Sequence, residues 1–191
     1  FTGAGYFSPR AIGKIENQDL HSIASPDMVI VVHPNFMNQA ERLANHHRSF
    51  DSLTVSVVTT FQIYNEFSSG AQDVSAIRDF MRMLYERNMS SGNLPKYLLL
   101  FGDGSYDNKY RMVGNTNYIV TYQSDNSLDP TNTYISDDFF GFLDSTEGYW
   151  PENATALLDI GIGRFPVKTI TEAEAVVNKT INYALNGNNT N

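Results

Sequence analysis

The stretch Tyr97-Leu98-Leu99-Leu100-Phe101-Gly102-Asp103-Gly104-Ser105-Tyr106-Asp107-Asn108 decides how the rest of the chain is read. Its first five residues are apolar without alternation. That is the pattern of a strand covered on both faces, as in a parallel sheet with helices above and below. Three more short apolar runs share its character: Met28–His33 (MVIVVH), Leu53–Thr59 (LTVSVVT) and Leu157–Gly163 (LLDIGIG). Helical stripes lie between and after them. Asn35 follows His33-Pro34 and is placed to cap a helix with Phe36, Met37, Ala40, Leu43, Ala44 and His47 on one side. Asp73 is placed to cap a second, with Val74, Ile77, Phe80, Met81, Leu84 and Tyr85 in one stripe. Thr171 and Glu174 have the form of a capping box ahead of Val176, Val177, Ile181 and Leu185. Strands alternating with helices predict an α/β fold, a three-layer αβα sandwich on a mostly parallel four-stranded sheet.

Residues 1–25 have no clear period and are expected to be a lead-in from a preceding domain. Residues 26–186 form the αβα unit, and 187–191 are a polar tail with Gly187 placed to stop the last helix. Within the unit, residues 103–156 are too long and too rich in Asn, Asp, Ser, Thr and Tyr for a simple connection. This insertion should carry its own structure: an added strand at Asn117–Ser124 and a short apolar element with acidic ends at Tyr134–Asp144.

The 191 residues are 41% hydrophobic and 18% charged, enough to build a core and unlike a disordered chain. A net charge of -8 repels phosphate backbones, and no basic run offsets it, which argues against nucleic-acid binding. The absence of cysteine excludes disulfides, thiolate metal sites and a thiol nucleophile within these residues. No apolar run approaches the roughly 18 residues of a membrane span. The chain opens on Phe1 with neither Met nor a basic leader, so it reads as a segment of something longer.

Ligands of open α/β sheets bind beyond the carboxyl ends of strands, which is where Asp103 falls. Asp103, Ser105, Tyr106 and Asp107 are therefore candidates to face a cleft or a partner. The competing reading is a tight turn whose Asp side chains cap local amides. Asp137 and Asp138, with Asp144 and Glu147 nearby, make the densest acidic cluster. Adjacent aspartates on a strand point to opposite faces, so they are poor partners for one proton. A Ca²⁺ ion drawing on Asp103, Asp107, Asp137 and Asp138 is the one cofactor these residues suggest; otherwise none is expected. Arg164 ends a buried strand, where a guanidinium is costly without a partner, so a structural ion pair with Asp103, Asp137 or Asp138 is expected. The four histidines lack metal-site spacing, and no G-x-S-x-G elbow exists. Gly161-Ile162-Gly163 lacks the third glycine and the following helix of a dinucleotide site.

IYNEFSSG at 63–70, DVSAIRDFMRMLYER, YLLLFGDGSYDN, TYQSDNSL, YISDDFFGFLD and IGIGRFPVKTITEAEAVVNKTINYA occur in order and at sensible spacing. Together they resemble gingipain-type cysteine peptidases, over residues 11–185. EFSSG and GDGSYDN are similar to the sortase branch that serves Bacteroidetes type IX secretion. The resemblance implies a caspase-like fold of two side-by-side αβα subdomains. It also implies a Cys-His dyad in the second subdomain, which cleaves C-terminal secretion signals from cargo and, in sortases, joins the new carboxyl end to an anionic lipopolysaccharide. The chain matches only the first subdomain, so no nucleophile or base is assigned here. Its implied job is to buttress the catalytic half and line one side of the cleft. Implied partners are that second subdomain of the same polypeptide and protein cargo, with no nucleic acid and no membrane insertion by this segment. The implied location is the cell envelope, at the outer-membrane surface or in the periplasm. A different class of reading is a free-standing α/β module that binds a partner or Ca²⁺ through residues 103–147. A phosphoryl-acceptor role for Asp103 is disfavoured, because its partner acids should follow the first strand, where His33-Pro34 stands.

Overall fold

The computed structural model describes residues 10, 11, 13–124, 128, 129, 131–145, 147 and 157–187. Four parallel strands form the main sheet: β1 (Met28–Val32), β2 (Val55–Thr59), β3 (Tyr97–Phe101) and, after the short β4 (Tyr122–Gln123) and β5 (Ile135–Ser136), β6 (Gly161–Phe165). Their order is β2-β1-β3-β6, and β1 pairs in parallel with both β2 and β3. All five residues of β1 are buried, as its unbroken MVIVV run requires of a strand with neighbours on both sides and helices on both faces. Alternate residues divide between two cores. Val29, Val31, Leu98 and Leu100 face α2 (Thr60–Phe67) and α3 (Val74–Asn88). Ile30, Val32, Leu99 and Phe101 face α1 (Met37–Phe50) and α4 (Ile170–Gly187). The sheet with a helix layer on each face is the expected three-layer α/β sandwich.

Helix starts depart from the sequence reading in instructive ways. Pro34–Phe36 form a 3-10 turn before α1, and its cap is the His33 ring, whose Nδ1 accepts from the Asn35 N–H, not the Asn35 side chain. α2 has no counterpart in the periodicity because it follows β2 without a loop. It is held by a capping box in which Thr59 and Gln62 bond each other's backbone N–H. Asp73 does cap α3, accepting from Ser75 at 2.8 Å. At α4 the capping residue is Thr169 rather than Thr171: its Oγ accepts from the Glu172 N–H, while the Glu172 carboxylate accepts from the Lys168 N–H.

The lead-in is more than a connection. Leu20 is buried in the α2/α3 core, and the Gln18 amide, the Leu20 N–H and the His21 ring all bond the Glu66 carboxylate on α2. Burial pushes the Glu66 carboxyl up, but these donors outweigh it and leave it below the ordinary glutamate range. Arg87 on α3 adds bonds to the His21 and Ile23 carbonyls. Asp19, His21 and Glu66 form the one cluster of three ligand-type side chains among the described residues. Glu66 accepts from three different donors there, so the cluster reads as a clasp.

Asp27, just before β1, ties three elements. It accepts from Lys96 at 2.7 Å and from the hydroxyl and N–H of Thr54 at 2.6 and 2.9 Å. The Lys96 bond and then the Thr54 bonds hold its carboxyl far below the usual range. A depressed folded-state pKa stabilises the fold above the unfolded-state pKa near 4, and that contribution fades as pH falls toward the lower folded value. Asp27→Asn is therefore expected to flatten the loss of stability between about pH 4 and pH 2, read by urea titration at several pH values. An unchanged slope would show that Asp27 is not the group responsible.

Candidate functional site

β3 delivers Gly102 and Asp103 to the carboxyl edge of the sheet, and β6 delivers Arg164 beside them. The Asp103 backbone splices three segments: its N–H donates to the Val167 carbonyl, while its carbonyl accepts from the N–H groups of Tyr118 and Ile119. Its carboxylate accepts from the Thr116 hydroxyl at 2.5 Å and lies 3.6 Å from the Lys168 ammonium. Gly104 follows where the insertion crosses closest to the sheet. A Cβ there would meet Thr121 Cγ2 at 2.5 Å, the Ile119 carbonyl at 3.0 Å and the Arg164 guanidinium at 3.2 Å, so only glycine fits without displacement.

Arg164 is the hub. Its Nε and one terminal nitrogen fork onto the two Asp137 oxygens, both at 2.7 Å. The remaining donors reach the carbonyls of Gly102, Ile119 and Val120 at 3.0–3.1 Å. All five guanidinium N–H groups are used. This explains why Asn117–Ser124 is not the strand its alternation predicts, with only Tyr122–Gln123 pairing, antiparallel to Ile135–Ser136. The Tyr118 and Ile119 N–H groups are taken by Asp103, and the Ile119 and Val120 carbonyls by Arg164. The expected strand at Leu157–Gly163 likewise begins only at Gly161. Asp159 turns the chain first, its N–H donating to the Gly141 carbonyl and its carboxylate accepting from the Leu143 N–H.

The other predicted residues fall into two groups. Ser105, Tyr106 and Asp107 belong to a loop that bonds itself: Asp107 is buried, its carboxylate accepting from the Met112 N–H and the Asn115 amide, and its N–H donating to the Ser105 hydroxyl. Asp138 is exposed, makes no ion pair among the described residues, and opens the 3-10 turn Asp138–Gly141. Asp103, Asp107, Asp137 and Asp138 do not converge. Among the described residues, none of them belongs to a group of three ligand atoms within 4.8 Å of one another.

Between these groups lies a cleft of about 350 Å³ lined by Asp103, Gly104, Thr121, Ser136, Asp137 and Arg164. Ile135 and Pro166 complete its lining, so charged groups sit on a partly apolar wall anchored by the sheet edge. A larger groove of about 540 Å³ sits at the other end of the strands, floored by Leu99, Gly161 and Gly163 beside Tyr97. Its titratable pair, His47 and Asp51, is self-satisfied at 2.6 Å. Chemistry belongs more naturally to the cleft that carries Asp103, Asp137 and Arg164, and packing to the groove. Neither holds a nucleophile paired with a base. At the carboxyl end of β1, next to β3, a doubly wound sheet would ordinarily bind its ligand. Here the His33 ring occupies that position, in tilted and edge-on contact with Phe36, Phe61 and Tyr118, their centroids 4.5–6.2 Å away. Burial pushes its pKa down. Thr121 and Ser136 are not legible as cleft residues, because nothing local in the sequence sets them apart.

Residues 21–191 match peptidase family C25. The chain belongs to that family. It is 35% identical to the dimeric latent PorU of Porphyromonas gingivalis, with a TM-score of 0.78 over 90% of this chain and 17% of that one. The Arg-specific cysteine proteinase gingipain R shares the fold at 17% identity and a TM-score of 0.56, over 87% of this chain and 30% of that one. A further protease does so at 14% identity and a TM-score of 0.55. The chain thus spans less than a third of the length of these solved structures. No curated protein matches it. Among the described residues, no helix is long and apolar enough to cross a membrane.

Proposed function

We propose that this chain is the non-catalytic N-terminal subdomain of a gingipain-like cysteine endopeptidase or sortase that removes C-terminal secretion signals from cargo in type IX secretion. The observation that carries the reading is the 35% identity to PorU over nearly the whole chain, in 191 residues without a cysteine. A cysteine peptidase needs a thiol and an imidazole within reach, and this chain has no thiol to offer. Its part is to support the catalytic subdomain and form one wall of the cleft at the cell envelope.

Two features favour support over catalysis. Among the described residues β6 is the last strand of the sheet, so its outer edge presents backbone groups for another element to pair with. The glycines at 161 and 163 leave a shallow apolar floor beside it, open to close packing. Arg164, meanwhile, fixes the insertion against the sheet, so a wall built from Asp103, Ser136 and Asp137 would be rigid.

The test is the reading frame beyond Asn191. It is expected to encode two further apolar strands, one followed by His-Gly and one ending in Cys. A stop codon or an unrelated domain there would overturn the proposal. The chain alone is expected to hydrolyse no peptide, cargo signal sequences included. Activity that co-purifies with it and resists thiol-blocking reagents would count decisively against this reading.

A further inference from the structure

The loop from Gly104 to Asn117 ends in a tip that the cleft does not use. Val113 is fully exposed, Tyr106 is 70% exposed, and Met112 and Tyr110 are about half exposed. The Tyr106 hydroxyl donates to the Met112 sulfur at 2.9 Å, so these side chains form one cluster. Lys109 and Arg111 stand exposed beside them, in no ion pair among the described residues. The loop's one carboxylate, Asp107, is buried and turned to its own backbone. A chain of net charge -8 therefore carries here an exposed cationic and apolar patch.

The loop is also braced. Asn117 is buried, its side chain accepting from the Ser105 N–H and donating to Asn108. Tyr110 sits at φ 52°, where a non-glycine residue is strained, and its hydroxyl holds it there by donating to the Asn117 carbonyl at 2.6 Å. Strain kept in place by surrounding bonds points to a presented surface. The tip is thus offered without a further ordering cost on binding.

We infer that this tip is a peripheral membrane contact, with Tyr106, Met112 and Val113 entering the headgroup boundary of an anionic bilayer while Lys109 and Arg111 meet its phosphates. Exposed apolar side chains flanked by Lys109 and Arg111 decide for a bilayer over a protein, since this pairing suits a lipid interface without any complementary pocket. The charge decides for anionic lipid. Each cation near such a surface contributes about fivefold in affinity. The negative charge of the chain beyond a Debye length of about 10 Å is largely screened at 0.1 M salt. This narrows the expectation of no membrane insertion to the absence of a span, and it stands independently of the peptidase reading.

The test is co-sedimentation of the 191-residue chain with vesicles of equimolar phosphatidylglycerol and phosphatidylcholine, against phosphatidylcholine alone. Binding is expected to the mixed vesicles and to fall at least tenfold on the neutral ones or in 1 M salt. Lys109→Gln with Arg111→Gln should weaken it about 30-fold. Met112→Ser with Val113→Ser should weaken it at least tenfold. Both pairs are exposed, and unchanged circular dichroism would show the fold intact. Absence of binding to anionic vesicles, or binding indifferent to either pair, overturns the inference. So does a chain that ignores vesicles yet binds the separately expressed remainder of its parent through Met112 and Val113, which would make the tip a protein surface.

Discussion

Replacing Arg164 by Met is expected to lower the unfolding free energy by about 3–5 kcal/mol, the range for removing one member of a buried, hydrogen-bonded pair. The side chain of Arg164 is only 11% exposed and that of Asp137 26%, so solvent can replace little of what is lost. Met fills most of the volume but returns none of the donors. It leaves the Asp137 carboxylate without its fork and the carbonyls of Gly102, Ile119 and Val120 without their partner. Each unmade bond to a buried acceptor costs on the order of 1–3 kcal/mol, and partial relaxation of the insertion keeps the sum below simple addition. Arg164→Lys should recover part of the loss through one ammonium, but a point charge cannot fork onto a carboxylate and three carbonyls together. Paired with Asp137→Ala, the Met variant completes a double-mutant cycle. A coupling above about 1.5 kcal/mol is expected for this contact. Urea unfolding reads both, and a single-variant loss below about 1 kcal/mol would mean that water already shares the pair.

How far the sequence carried the reading follows from where each element finds its hydrogen bonds. The strands β1, β2 and β3 pair in parallel register along their whole length and lie between two helix layers, so hydrophobic runs mark them within two residues. α3 is equally plain because Asp73 caps it and its stripe faces one core. The insertion is different. Its backbone is satisfied by side chains: Asp107 holds Met112, Arg164 holds Ile119 and Val120, and Asp159 holds Leu143. Such pairings span from 5 to 45 positions, and periodicity cannot reveal them. Alternation at Asn117–Ser124 thus suggested a strand that Arg164 pre-empts. The same arithmetic of burial that made Arg164 suspicious did predict that it must have an acid, though not which one. Among the three candidates it takes Asp137, while Asp103 is engaged by Thr116 and Lys168 and Asp138 faces solvent.

Phe140→Ala should cost about 3–5 kcal/mol, as much as a large-to-small change at the centre of the sheet, although Phe140 lies inside the insertion. The 3-10 turn Asp138–Gly141 drives Phe139 and Phe140 into the core that α2 and α3 share with β1 and β3. Phe140 is fully buried there. Phe139 stacks on Tyr122 with centroids 4.7 Å apart and carries the Arg78 guanidinium at 5.3 Å. Arg78, on α3, in turn donates to the carbonyls of Phe142 and Glu147 at 2.7 Å. The insertion and α3 are thereby one body, cross-linked by aromatic packing and a buried cation. A removable binding module would behave otherwise: truncating Phe140 would melt it in a separate, earlier transition and leave the sheet's midpoint unmoved. One cooperative transition at lower urea, seen alike by far-ultraviolet and near-ultraviolet circular dichroism, is the expected result. Phe140→Leu, which keeps most of the volume, should lose much less, on the order of 1–1.5 kcal/mol. Two separated transitions in the Ala variant would mean that the cleft wall folds on its own. Asp137 would then be held to Arg164 by the ion pair alone, and the rigidity required of a cleft-lining subdomain would be lost.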